Sequence, residues 1–157
     1  MLADYDHEIA STRRLLDRLP DERLTWSPHP KSMSLAGLAT HLSNIPNWSG
    51  PILKSPSFDL DDAPPPLAPL ATRAAILVFF DTSTARARLD MDRSDAEYAA
   101  LWCLKRGGSE MFAMPRATAF RSFVLHHMIH HRGQLSVYLR LNDIPVPAIY
   151  GPSADEP

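Results

Sequence analysis

The sequence predicts an all-α fold: a four-helix bundle with a long proline-rich crossover and a small β-hairpin before the last long helix. Three observations carry this expectation. Four segments place apolar residues at helical spacing. Residues 51–69 hold Pro51, Pro56, Pro64, Pro65, Pro66 and Pro69, too many for a helix. Gly107-Gly108 separates two short runs containing aromatic residues, the pattern of a tight hairpin.

In the first helix Leu2, Tyr5, Ile9, Leu16 and Leu19 recur on one face, and Pro20 ends it. Pro28 and Pro30 mark the next segment as a loop. Ser34 is placed to cap a second helix, "LAGLATHLSNI", which Pro46 stops or kinks. The proline segment then crosses in extended form within one domain spanning residues 1–157. A third helix is expected from about Leu70 to Leu89. The fourth begins near Arg116 or Ala117, just after Pro115, and reaches about Asn142. Four helices of this length with one long crossover suit a bundle.

With a net charge of -2, the chain offers no field for nucleic acid or an anionic membrane. No apolar run approaches the ~20 residues of a membrane span. Cys103 is the only cysteine, so no intrachain disulfide is possible. The first residues, "MLADYDHEIASTRRLL", lack the basic start and apolar middle of a signal peptide. A reducing cytoplasm is the expected location.

Four of the seven histidines fall within "LHHMIHH": His126, His127, His130 and His131. At about 100° per residue, His127 and His131 lie in the apolar stripe with Phe120, Phe123, Val124, Leu135, Tyr138 and Leu141. His126 and His130 sit on its flank. Imidazoles at i and i+4 facing a core must share a proton, a partner or a cation. They are therefore a hydrogen-bonded core pair or two ligands of one metal. On the second helix, His41 lies at the edge of the stripe formed by Leu38, Leu42 and Ile45. A histidine there can meet the pair across a bundle, and three histidines leave an open coordination position. Neutral imidazole suits zinc, nickel, copper or iron. His7 and His29 fall on solvent-facing positions.

Gln134 projects beside His127 and His131, where it can hydrogen-bond a ligand imidazole or a substrate. Gly133 falls on the far side and leaves room for close approach of another helix or subunit. Arg132 is expected to pair with an acid at the bundle edge. Glu8, on the flank of the first stripe, is a possible general base. Trp26, Trp48 and Trp102 are either core residues or walls of a pocket mouth. Cys103 reads as a small packed residue.

The stretch from Trp26-Ser-Pro to His41-Leu42, with "MPRATAFRSFVLHHMIHHRGQLSVYLRLNDIPVPAIYGPSADE" at the C-terminus, resembles the DinB-like (DinB/YfiT-like) metalloenzyme superfamily. The "HxxxHRGQ" core and the "PVPxxYGPSADE" tail are the most specific parts, and the resemblance covers essentially the whole chain. It implies a four-helix bundle, a homodimer, and a divalent metal, nickel or zinc, held by one histidine of the second helix and the two of the last long helix. In this sequence those are His41, His127 and His131. It also implies a small-molecule substrate and either hydrolysis or transfer involving a low-molecular-weight thiol. A bound metal can lower the pKa of water or bind a thiol as thiolate, and either use needs a pocket around it.

Overall fold

The structure is a computed structural model that describes residues 2–157. It is mostly helical and carries a small three-stranded sheet. The four long helices are α1 (Leu2–Leu16), α2 (Leu35–Asn44), α4 (Arg73–Asp90) and α7 (His127–Leu141). Helix α2 packs on α4 and α7, and α1 packs on the same two. The apolar faces that meet there include Leu15, Leu16, Leu35, Leu38, Leu42, Phe80, Met128, Leu135 and Leu139, all buried. The Tyr5 hydroxyl donates to the Thr84 carbonyl at 3.1 Å, tying α1 to α4 inside that core.

Local chemistry sets the helix ends. The Ser34 hydroxyl accepts from the Gly37 N–H at 3.1 Å and starts α2 where expected. Thr72 does the same for Ala75, so α4 starts at Arg73 and not at Leu70. Helix α1 ends at Leu16, and the chain to Leu19 continues as turns. Pro46 turns α2 without breaking the chain's course: a 3-10 turn over Ile45–Trp48 leads directly into a short helix, α3 (Ser49–Lys54). A second short helix, α5 (Asp95–Ala99), follows α4 behind a Ser94–Glu97 capping box. Neither is legible as apolar periodicity, because neither completes two turns.

The hairpin pairs β2 (Leu101–Arg106) antiparallel with β3 (Ser109–Pro115). Gly107 and Gly108 have φ of 56° and 78°, the left-handed values that a two-residue turn of this kind needs. The proline segment supplies more than a crossover. Its strand β1 (Ser57–Asp59) adds parallel to β2, and the Asp59 carboxylate accepts from the N–H groups of both hairpin glycines. The all-α expectation is corrected to this extent. Residues 63–69 then cross in exposed, irregular form.

Helix α7 does not begin at Arg116. A short helix α6 (Arg116–Phe120) and a π-helical stretch (Arg121–His126) precede it in one continuous rod. A π turn carries about one extra residue, so a 100° ruler laid across it loses phase. The buried stripe of α7 is Met128, His131, Arg132, Leu135 and Leu139. It is rotated by roughly a sixth of a turn from the stripe read off the sequence. Leu141 is consequently exposed, and Tyr138 and Phe123 are half-buried.

Candidate metal centre

Helix α2 carries His41 one residue before the buried Leu42, and the α2–α7 contact brings it against the start of α7. His127 opens α7 and His131 follows one turn later. The rotated stripe leaves both at its edge facing α2, with His127 and His41 half-buried and His131 just buried. The three imidazoles converge through Nε2. His127 Nε2 lies 3.3 Å from His41 Nε2 and 2.8 Å from His131 Nε2. Potential donor atoms of all three lie within 4.8 Å of one another.

The outer nitrogens decide what Nε2 can do. His131 Nδ1 lies 2.7 Å from Gln134 Oε1, so Nδ1 carries the proton and donates it. His131 therefore presents a bare Nε2 lone pair to His127. At 2.8 Å that lone pair takes either the Nε2–H of a neutral His127 tautomer or a cation. Burial first, then His131, His41 and His130, push the His127 pKa down to about 4. Burial and then His131 also lower His41, and burial is the main influence lowering His131. At neutral pH the three rings are thus biased to the neutral form, the form that binds a metal cation. Tetrahedral coordination at ~2.0–2.1 Å puts nitrogen donors roughly 3.3 Å apart, close to the observed separations. The three residues could hold a metal ion as they stand.

The surroundings of the trio are aromatic. The Trp48 ring lies 5.9 Å from that of His41 and 5.1 Å from that of His127. His130 is exposed, with its ring 4.9 Å from His131. It is not among the converging groups, and neither is the exposed His126. His7 and His29 are exposed as expected. Trp26 packs edge-on against Tyr138, and Trp102 is buried with its N–H donating to Pro51.

Two residues take a different place from the one their spacing suggested. Arg132 is not at an edge: it is fully buried, and its guanidinium pairs with Glu8 at 2.7 Å. The Tyr150 hydroxyl, from the C-terminal tail, hydrogen-bonds both Glu8 carboxylate oxygens at 2.8–2.9 Å and also contacts Arg132. Glu8 is therefore held by a counter-ion and a phenol, away from the converging imidazoles, and is not free to act as a base there. Cys103 Sγ sits 3.4 Å from Glu110, and burial together with that carboxylate raises its pKa and keeps the thiol protonated. Gly133 faces open space.

A cavity of about 330 Å³ lies between the start of α1 and the π-helical stretch, lined by Asp4, His7, Glu8, Arg121 and His126 among others. It contains none of the three converging histidines, so the expected pocket around a metal is not this one. The imidazoles lie instead where α2 meets α7, beside the Trp48 ring.

Comparison with known proteins agrees with this architecture. The family model described as the DinB family matches residues 2–157. The uncharacterized protein YrdA of Bacillus subtilis (strain 168) is 25% identical over 159 residues, covering 99% of this chain and 89% of its own. The crystal structure of a DinB-like protein from Bacillus cereus superposes with a TM-score of 0.71 at 24% identity, covering 95% of each chain.

Proposed function

The chain belongs to the DinB family, and on that footing we propose that it is a divalent-metal-dependent enzyme whose metal is held by His41, His127 and His131. The observation that carries this reading is the convergence of three Nε2 atoms, at 2.8 Å and 3.3 Å from His127, with the outer nitrogen of His131 already committed to Gln134. Apolar packing alone gives no reason to assemble such a set. Nickel and zinc are the metals that the family resemblance implies, and three neutral imidazoles accommodate either while leaving a fourth position open.

When bound, such a metal supplies a Lewis acid that activates water or a thiol and polarises the substrate. The chain's own residues supply the rest. Gln134 holds the tautomer and orientation of His131. Trp48 shields one side of the trio from water. With Glu8 bound to Arg132, a carboxylate base is missing from the trio's immediate neighbours among the described residues. That favours chemistry needing little protein base catalysis, a thiol-dependent transfer, over hydrolysis.

The same reading takes the four long helices as one four-helix-bundle domain, cytoplasmic and homodimeric. Among the described residues no helix is long and apolar enough to cross a membrane. The exposed Gly133, Val137 and Leu141, one turn apart on α7, offer a face for a second copy. Light scattering at micromolar concentration should give twice the chain mass. A monomer would remove that part of the proposal.

The deciding experiment is elemental analysis of untagged protein beside the His41→Ala variant. About one transition metal per chain, lost in the variant, is the expected result. No metal after reconstitution with zinc and nickel would make the histidines structural.

A further inference from the structure

A substrate reaching the three imidazoles would meet a definite neighbour, the Trp48 indole. Trp48 follows His41 by seven residues, two helical turns, and the 3-10 turn at Pro46 keeps the chain running in the same direction. This places the indole beside both His41 and His127, at 5.9 Å and 5.1 Å between ring centres. It is only half-buried. Its N–H has no hydrogen-bond partner among the described residues, whereas that of Trp102 is fixed to a carbonyl. A core tryptophan ordinarily satisfies this donor. Trp48 therefore serves as a wall.

No carboxylate joins the converging group: among the described residues the three histidines alone make it up. A bound dication with three neutral ligands would keep its full charge and draw an anionic donor atom to the open position. Beyond that atom a substrate would meet the indole of Trp48.

We propose that the substrate binds through one anionic donor atom flanked by a flat, uncharged, apolar group that packs on Trp48. The proposal rests on the metal reading and narrows it to a substrate class. Trp48 is then the residue that sets specificity for the group next to the reacting atom, through stacking and excluded water.

The test uses cobalt-loaded full-length protein and two probes with the same metal-binding head, acetate and benzoate. Binding is followed by the visible absorption of the cobalt. Benzoate is expected to bind about tenfold more tightly, as stacking plus burial of a phenyl ring would give. In Trp48→Ala the ratio of the two affinities should fall to about threefold or less, and Trp48→Phe should keep most of it. Equal affinities in the unaltered protein, or an undiminished ratio in Trp48→Ala, would overturn the proposal. Cobalt content is measured first. A protein that takes up no cobalt sinks the metal reading and this inference together, whereas a fully loaded protein without phenyl preference sinks this inference alone.

Discussion

Arg132 Nη1 lies 2.7 Å from Glu8 Oε2, and Arg132 is the immediate neighbour of His131 in sequence. Both side chains are almost wholly removed from water. The pair joins α1 to α7, and Tyr150 closes it from the tail by bonding both partners. A buried pair of this kind contributes little over an apolar substitute, but breaking it leaves one charge stranded. Glu8→Ala should therefore lower stability by about 3–5 kcal/mol, measured by urea unfolding. Tyr150→Phe keeps the ion pair and should cost only about 1 kcal/mol. Equal losses for the two variants would mean that the hydroxyl, and not the charge pair, holds the junction.

Gln134 acts on the metal only through His131. Gln134→Leu removes the acceptor at Nδ1 while keeping size and helix propensity. It should weaken zinc affinity by about 10–100-fold with little change in helical circular dichroism. Competition with a chromogenic chelator reads the difference. Gln134→Glu restores an acceptor and should recover most of the loss. Unchanged affinity in Gln134→Leu would show that the tautomer of His131 is set elsewhere.

The sequence allowed much of this to be read, for identifiable reasons. Ser34, Pro115 and the Gly107-Gly108 pair act locally, and each sits where its chemistry implies. His41, His127 and His131 converge because i and i+4 positions share one face of α7, even with its stripe rotated from the one periodicity gave. What escaped depended on long-range partners or broken periodicity. The π-helical stretch shifted the phase of α7, which concealed that Arg132 faces inward. The role of Glu8 required knowing that the tail returns Tyr150 to α1. Strand β1 was hidden because it is only three residues long and lies between prolines.

Acidity should act on the metal-free protein through the depressed imidazoles. His127 falls to about 4 in the folded state, against about 6.5 when unfolded. The unfolded chain thus binds the proton more readily, and stability rises with pH across that interval. The contribution is fully present above pH 6.5 or so and is lost as pH falls toward 4. His41 and His131 shift in the same direction, so the three titrate as a set. Urea midpoints taken between pH 7 and 4 should fall more steeply for the unaltered protein than for His127→Gln. Parallel curves would place the acid sensitivity in the carboxylates instead.

Metal binding should stabilise the folded protein, and it should do so only when the set is complete. Any ligand that binds the folded form alone stabilises it by mass action, about 2.7 kcal/mol at a hundredfold excess over Kd. Zinc or nickel should therefore raise the unfolding midpoint of the unaltered protein, and a strong chelator should return it to the metal-free value. Protons compete for the same nitrogens in the folded protein, so the metal-induced rise should persist below pH ~6.5 and shrink as pH falls toward the value of about 4 for His127. His131→Ala removes the ligand shared between Gln134 and His127, and should abolish both the rise and stoichiometric metal content while keeping helical content. A full metal complement in that variant would take His131 out of the site. A midpoint indifferent to metal and chelator would leave the imidazoles sharing a proton, and their place between α2 and α7 would be part of the core.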